Sequence, residues 1–269
     1  MKKAIKFAPV AALGLLLSTF TYAAPANAAA ACTPTSLKTV AAKTLTIATG
    51  APAYSPWVLD DKPESGKGFE AAVAYAVAKK LGYTNAQVKW IRTSFDSAIA
   101  PGPKKFDFNI QQYSITADRA KVVDFSSSYY KSNQAIVTFK GSKLDGVKNI
   151  AAVKAAKPTI GAAVSSTSLD AVEKVLGLKA QVFNDNAAAV TALKNKQIDG
   201  LVVDLPTAFY LSAVEVPNGL IVGQLPSTGS GDQFGLLLTK GSALTSCVSG
   251  AVDAITADGT LAAITDKWL

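Results

Sequence analysis

The loop from Ser114 to Arg119 carries residue types that suit the binding of an anion. Its order is Ser-Ile-Thr-x-x-Arg, and it follows an apolar run that begins at Phe108. The guanidinium of an arginine matches both oxygens of a carboxylate, and hydroxyl and backbone N–H groups can complete the shell of the anion. The spacing therefore predicts a carboxylate-binding loop. A surface ion pair of Arg119 with Asp118 or Asp124 is the alternative.

The absence of one residue type narrows the chemistry open to this chain. Its 269 residues include no histidine, which excludes histidine-based catalytic triads, histidine zinc sites and imidazole acid–base catalysis. The 27 basic residues exceed the 19 acidic ones, but the lysines are scattered rather than clustered. Such a charge balance is typical of a solvated surface, so no nucleic-acid partner is expected. No metal ion, cofactor or catalytic residue is predicted.

The first 28 residues have the pattern of an export signal. Lys2, Lys3 and Lys6 precede an apolar stretch, and Ala26-Asn27-Ala28 has the small-x-small pattern of a cleavage site. The stretch is shorter than the roughly 20 apolar residues that span a bilayer. We therefore expect an exported, periplasmic or extracytoplasmic protein. Cleavage would remove three lysines and leave 24 basic and 19 acidic residues, a net charge of +5.

The chain has two cysteines, Cys32 and Cys247. In an oxidising compartment the two can pair, and the bond would tie the mature N-terminus to the C-terminal region. Closing so long a loop stabilises a protein by up to about 5 kcal/mol in the chain-entropy model. Lipidation of Cys32 is the alternative and excludes the pairing. The disulfide is preferred because residues 29–31 lack the large aliphatic residue of a lipidation signal.

Short strand-like runs alternate with helix-like runs, the pattern of an α/β protein with parallel sheets. Helical spacing is clear from Phe69, where Val73, Val77 and Leu81 recur every four positions before Gly82. The predicted strands cover residues 45–49, 87–92, 106–111, 135–139, 158–164, 181–183, 200–204 and 234–238. The predicted helices cover 69–81 and 95–99, segments from 169 and around 187–193, and two C-terminal segments that part at 258–259.

Several short motifs occur in an order that resembles the amino-acid-binding proteins of ABC transporters, the polar-amino-acid branch of the type II periplasmic solute-binding fold. The resemblance rests on the loop 114–119 with Val-Asp-Phe-Ser and Tyr-Tyr after it, and on Tyr54-Ser-Pro-Trp57, Gly68-Phe69-Glu70, Phe106-Asp107, Asp258-Gly-Thr-Leu and Lys267-Trp268-Leu269. It implies a monomer that captures an L-amino acid and delivers it to permease subunits in the membrane.

The resemblance also implies two α/β lobes joined by a two-strand hinge. Lobe 1 would combine residues 29–133 and 230–269, and lobe 2 would be residues 134–229, after the signal peptide at 1–28. The chain would cross near Asn133 and near Gly229, so the lobes could close around a ligand. From the order of elements alone, a single doubly wound domain remains the alternative.

By resemblance, the two charged ends of an amino acid are held by opposite lobes. Arg119 would bind the α-carboxylate, supported by the backbone around Ser114 and by Ser166 and Thr167 at a helix N-terminus. Asp204 would bind the α-ammonium at the carboxyl edge of a sheet, where ligands of open α/β sheets bind. Helix capping is the alternative for the three residues of the second lobe.

The resemblance places the ligand side chain between Tyr54 and Phe95, for which core packing is the alternative. Ala51 stands where relatives that bind basic amino acids carry an aspartate. Gln111 and Gln112 replace smaller polar residues, and their amides can both donate and accept hydrogen bonds. These departures favour a polar or neutral side chain over a basic one.

Two other functions are compatible with the same scaffold. One is an enzyme similar to periplasmic dehydratases, in particular cyclohexadienyl dehydratases, in which a cleft carboxylate acts as acid and base. The other is a ligand-sensing domain. Because Asp204 is the one cleft carboxylate that the sequence identifies, binding is favoured over catalysis. Arg92 would suit an acidic ligand side chain, although a surface position is the preferred interpretation.

Overall fold

The computed structural model describes residues 32–227 and 232–269, so the predicted signal peptide lies outside the described residues. The strands are β1 (Leu45–Thr49), β2 (Val88–Arg92), β3 (Phe108–Asn109), β4 (Val123–Ser132), β5 (Gln134–Phe139), β6 (Ile160–Ala163), β7 (Gln181–Phe183), β8 (Gly200–Asp204), β9 (Gly219–Gln224) and β10 (Asp232–Thr239). The α-helices are α1 (Phe69–Lys80), α2 (Phe95–Ile99), α3 (Ala117–Ala120), α4 (Ile150–Ala155), α5 (Thr167–Asp170), α6 (Asn186–Lys194), α7 (Leu205–Tyr210), α8 (Thr245–Ala257) and α9 (Thr260–Trp268).

These strands form two mixed sheets, ordered β2-β1-β3-β10-β4 and β7-β6-β8-β5-β9. Parallel pairs join β1 to β2 and β3 in the first sheet, and β6 to β7 and β8 in the second. In contrast, β10 runs antiparallel to β3 and β4, and β5 runs antiparallel to β8 and β9. The expectation of parallel sheets is therefore correct for the βαβ units and wrong for these antiparallel strands.

The chain changes sheet twice. It passes from β4 to β5 through Asn133, and it returns from β9 to β10 through residues 225–231. Two strand connections thus join the two halves, which gives a two-strand hinge. The predicted lobe limits stay a prediction, and the second limit falls within residues 228–231, outside the described part of the chain.

Helix α1 shows how the sequence builds the first half. Phe69, Val73 and Val77 are fully buried against β1, whose residues are buried throughout. Burying a side chain of this size contributes about 1.5–3 kcal/mol. Gly82 has a φ of 81°, the left-handed conformation that a glycine after a helix adopts without strain. The predicted helix and its end are confirmed.

A disulfide joins Cys32 to Cys247 on α8, with their Cα atoms 5.6 Å apart. Both residues pack against the core of the first half. The predicted pairing is confirmed, and it uses the thiol that lipidation would require.

Some elements differ from the predictions. The strand expected over 106–111 is limited to β3, because the backbone turns at Gln112, where φ is 50°. Helices α3, α4 and α7 and strands β4 and β9 were not predicted. The three helices have only four to six residues each, β9 contains two glycines and β4 contains four serines, so the periodic signals are weak. The C-terminal helices part at Gly259 as predicted.

Among the described residues, no single helix is long and apolar enough to cross a membrane. Helices α8 and α9 reach that length and composition only when taken together, and they are bent by 75° at their break.

Candidate functional site

A cavity of 380 Å³ lies between residues of the two sheets. Its lining residues follow the carboxyl ends of the parallel strands β1, β2 and β3 on one side and β6, β7 and β8 on the other. Ligands of open α/β sheets bind at such ends, and sites for small molecules have volumes in the range of about 300–1,000 Å³. The cavity is therefore the candidate binding site.

Most of the predicted ligand-binding residues line this cavity: Tyr54, Phe95, Gln111, Gln112, Ser166, Thr167 and Asp204. The other two, Ser114 and Arg119, are not lining residues. They lie directly behind the wall, since the hydroxyl oxygens of Ser114 and Thr167 are 3.2 Å apart and Arg119 contacts Phe95.

Helix α3 positions Arg119. The helix begins after Thr116, whose hydroxyl accepts a hydrogen bond from the Arg119 N–H (3.2 Å). Arg119 is only 7% exposed, and its guanidinium donates to the carbonyl of Ser114 and, across the two halves, to the carbonyl of Ser165, each at 2.8 Å. Its Cζ lies 5.3 Å from the centre of the Phe95 ring, a cation–π contact.

The ionic environment of Arg119 bears on the alternative of a surface ion pair. Asp118 pairs with Lys121, and Asp124 pairs with Lys240. Burial lowers the pKa of Arg119 from its usual value, but a guanidinium stays protonated in a protein. Within the described residues, the Arg119 side chain donates to two carbonyls and forms no ion pair, so this buried positive charge is suited to an anionic ligand.

The second half contributes a turn after β6. Ser165 has a φ of 60°, and Ser166 caps α5 by accepting a hydrogen bond from the Leu169 N–H (3.1 Å). The capping role considered for Ser166 is therefore present in the structure. The neighbouring Thr167 does not cap the helix in this way, and its hydroxyl contacts that of Ser114. The turn therefore meets the predicted carboxylate-binding loop of the first half.

Asp204 ends β8 and occupies the cap position of α7, but its side chain makes no capping hydrogen bond. Instead it accepts a hydrogen bond from the amide of Gln134 (2.7 Å). Burial, followed by the charge of Asp232, raises the pKa of Asp204 to about 8. A cationic partner such as an ammonium group would favour the charged form of this carboxyl.

Gln134 is a residue that the sequence analysis missed. Its amide nitrogen also donates to Asp232 on β10 (2.7 Å), and its oxygen accepts from Ser168 (2.6 Å). It therefore connects groups of both halves at the start of the hinge strand β5. Its partners are 34 to 98 residues away along the chain, so no local pattern signals this role.

The aromatic residues Phe95, Tyr54 and Trp57 of the first half differ in their contacts. Phe95 stacks on Tyr113 with ring centres 4.6 Å apart. Burial, followed by the negative charge of Glu215, raises the pKa of Tyr54 to about 12, so its hydroxyl stays protonated. Trp57 is buried in the core, and its indole N–H donates to Thr207 of the second half (2.7 Å).

Ala51 and Arg92 are further lining residues of the cavity. Ala51, which by resemblance stands at the position of an aspartate, contributes no carboxylate to the cavity wall. Arg92 also lines it, but its guanidinium donates to the carbonyl of Gly50 and pairs with Asp61, both at 2.5 Å. No set of three or more histidine, cysteine or acidic side chains suited to a metal ion occurs in residues 32–227 and 232–269.

Comparison with known proteins agrees with this geometry. Residues 45–269 match the model of the bacterial extracellular solute-binding proteins, family 3. The glutamine-binding protein GlnH of an ABC transporter of Bacillus subtilis is 29% identical over 212 residues, which cover 77% of this chain and 75% of that protein.

Solved structures with the same fold include an ancestral arginine-binding protein bound to glutamine, with 34% identity and a TM-score of 0.70 over 84% of this chain and 97% of that one. The ancestral amino-acid-binding protein AncCDT-1, a precursor of cyclohexadienyl dehydratase, has 28% identity and a TM-score of 0.66 over 84% and 94%. The two sheets are thus the two lobes of a type II periplasmic binding protein. The chain belongs to family 3 of the bacterial extracellular solute-binding proteins, among the amino-acid-binding proteins of ABC transporters.

Proposed function

We propose that this protein captures an L-amino acid outside the cytoplasm and delivers it to the permease of an ABC transporter, without catalysing a reaction. The observation that carries the proposal is the cavity at the facing carboxyl ends of the parallel strands, with Asp204 on its wall and Arg119 directly behind it. An anion-binding group on one lobe and a carboxylate on the other match the two charges of an amino acid.

The α-carboxylate is assigned to Arg119. A guanidinium has five N–H donors, and two of its nitrogens donate here to the carbonyls of Ser114 and Ser165. Donors therefore remain for a ligand, and the hydroxyl of Thr167 lies 3.2 Å from that of Ser114, whose carbonyl accepts from Arg119. The α-ammonium is assigned to Asp204, where it would bind the charged carboxylate more tightly than the neutral amide of Gln134 does. A ligand held at both ends would bridge the lobes and favour closure.

The side chain of the ligand is proposed to be polar or neutral rather than basic. The amides of Gln111 and Gln112 and the rings of Tyr54 and Phe95 line the cavity, whereas Ala51 offers no charge. An amide side chain fits donors and acceptors of this kind. The relatives described above are named for glutamine and for arginine, so L-glutamine is the first ligand to test.

Thermal melting in the presence of each common L-amino acid tests the proposal. A ligand at about 100 times its dissociation constant adds roughly 2.7 kcal/mol of stability. We expect one or a few L-amino acids to raise the melting temperature and Arg119→Ala to abolish the rise. Lys121→Ala removes an exposed cation two residues after Arg119; it is the matched control and should keep the rise. A rise that Arg119→Ala leaves unchanged would contradict the assignment.

An enzyme on the same scaffold is the second candidate. It is favoured by one observation, the raised pKa of the cavity carboxyl Asp204, since an acid that is still protonated near neutral pH can donate a proton. Incubation with prephenate or arogenate distinguishes the two functions. The binding function predicts no product, and turnover that Asp204→Asn removes would establish the enzyme.

A further inference from the structure

A fully buried carboxyl group lies on α1, behind the cavity. Glu70 is 0% exposed, and no ion pair within residues 32–227 and 232–269 includes it. Burial raises the pKa of Glu70 to about 7, against the effect of its hydrogen bonds from Tyr129 and Gln112. A buried carboxyl without a cationic partner destabilises a fold unless hydrogen bonds compensate for its burial.

The contacts of Glu70 are concentrated on one residue of the binding loop. One carboxyl oxygen accepts the backbone N–H of Gln112 (2.8 Å), and the other accepts its side-chain amide. The hydroxyl of Tyr129 on β4 donates to the first oxygen. Glu70 thus binds both the main chain and the side chain of Gln112, 42 positions further along the sequence.

Gln112 needs such support because of its backbone. Its φ is 50°, the left-handed conformation that residues with side chains rarely adopt. Gln112 lines the cavity and lies two residues before Ser114, whose carbonyl accepts a hydrogen bond from Arg119. A change of backbone at Gln112 would therefore move both the cavity wall and the carboxylate-binding groups that follow it.

We propose that Glu70 is a positioning residue for ligand binding, which holds Gln112 in its left-handed conformation and so sets the shape of the carboxylate-binding loop. The inference rests on the proposed function, because its readout is the affinity for an amino acid. Glu70 touches no cavity space itself and acts through Gln112.

A double-mutant cycle tests this role, with affinity measured by calorimetry at pH 8.5. The probe is L-glutamine, or whichever common L-amino acid stabilises the wild-type protein most. Glu70→Gln keeps the shape but replaces the acceptor oxygen that faces the side-chain amide of Gln112 by an NH2 group, so that two donors meet there and affinity should fall by about tenfold or more. Gln112→Gly adopts the left-handed conformation without strain. In that background Glu70→Gln should change affinity by less than about twofold, since the residue it supports no longer needs support.

Tyr129→Phe is the control for a general loss of stability. It removes the hydroxyl that donates to Glu70 and leaves both hydrogen bonds from Gln112 to Glu70 in place, so it should lower the unfolding free energy in urea while affinity stays within about twofold of the wild type. Additive effects in the cycle, or an equal loss of affinity in Tyr129→Phe, would overturn the positioning role. Failure of the wild-type protein to bind any common L-amino acid would overturn the proposed function as well.

Discussion

The carboxyl of Asp204 is suited to a change of protonation state when a cation binds. Its hydrogen-bond partner is the neutral amide of Gln134, and Asp232 adds a second negative charge nearby. Burial and that charge raise its pKa to about 8, so near neutral pH the carboxyl is mostly protonated. A bound ammonium would reverse this preference, because an opposite charge favours the ionised form. Binding of an amino acid should therefore release a proton.

The pH dependence of stability follows from the same carboxyl. Its pKa in the folded protein is raised from the usual 3.8 to about 8, so its contribution to stability is fully present below about pH 4 and is lost as the pH rises through about 8. We expect the unfolding free energy of the ligand-free protein in urea to fall over this window, and Asp204→Asn to make the fall smaller. Part of the fall should remain in the variant, because the pKa of Glu70 is raised to about 7.

An unfolding free energy that depends on pH equally in wild type and Asp204→Asn would contradict this picture.

A calorimetric titration tests the release of a proton on amino-acid binding. The heat of amino-acid binding, measured at pH 7 in two buffers of different ionisation enthalpy, should differ between the buffers for the wild-type protein and differ less for Asp204→Asn.

The sequence predicted which residues line the cavity better than it predicted their backbone conformations and pKa values. The motif order pointed to Asp204, Thr167 and Gln112, all of which line the cavity. It could not reveal the left-handed backbone of Gln112, which is hydrogen-bonded to Glu70, or the raised pKa of Asp204, which follows from burial and then from the charge of Asp232, because these partners are distant in sequence. Residue type and spacing carry no record of such partners.

Among the elements, the hinge strands bring the lobes' polar groups together. β5 begins at Gln134, with Asn133 between it and the end of β4, and Asp232 begins the returning strand β10. The amide of Gln134 donates to Asp232 and to Asp204, so one side chain links the hinge to the cavity. This arrangement holds the two carboxyls at a fixed distance from each other by hydrogen bonds rather than by a cation.

Removal of that amide should destabilise the hinge. Gln134→Ala removes donors to two carboxyl groups and the acceptor of Ser168, and we expect the unfolding free energy in urea to fall by about 2–4 kcal/mol. Gln224→Ala is the matched control on the other hinge strand, where an exposed glutamine accepts from Asn133 (3.1 Å). Its effect should stay within about 0.5 kcal/mol. Equal losses of unfolding free energy in the two variants would show that the buried hydrogen bonds of Gln134 contribute no more to stability than the exposed one of Gln224.

The elements that sequence predicted well are those whose patterns are local. The four-residue repeat of α1 and the apolar run of β1 are examples, and both lie in the core. Strand β9, with its two glycines, shows no clear alternation, and it is held mainly by pairing with β5. Tertiary pairing decides such elements, and a single sequence does not contain that information in readable form.

For the whole molecule, the disulfide closes the first lobe on itself. Cys32 and Cys247 join the start of the described chain to α8, which packs on α1. Replacing both cysteines by serine should lower the unfolding free energy by about 2–5 kcal/mol, because the unfolded chain regains the freedom of a long loop. Urea unfolding of the wild type with and without reductant gives the same comparison. Amino-acid affinity should not change, since neither cysteine lines the cavity. A loss of affinity without a loss of stability would contradict this division.

The residues assigned to ligand binding come from both lobes, so the site depends on the two-lobed architecture. Arg119 donates to the carbonyl of Ser165, and Ser114 meets Thr167, so the groups assigned to the carboxylate already lie on both sides of the cleft. A ligand that binds both lobes at once shifts the equilibrium towards the closed form in proportion to its preference for it. A closed form with a ligand inside is the state that a permease would have to recognise.

The central claim is that the cavity holds both charged ends of an amino acid, and chemical changes to the ligand test it most directly. Calorimetric titration should be made with the best-binding L-amino acid, its α-carboxamide and its Nα-acetyl derivative. Removal of either charge leaves Arg119 or Asp204 without its partner, so each derivative should bind about a hundredfold more weakly or not at all. If either derivative bound as tightly as the free amino acid, the assignment of that charged end would be wrong.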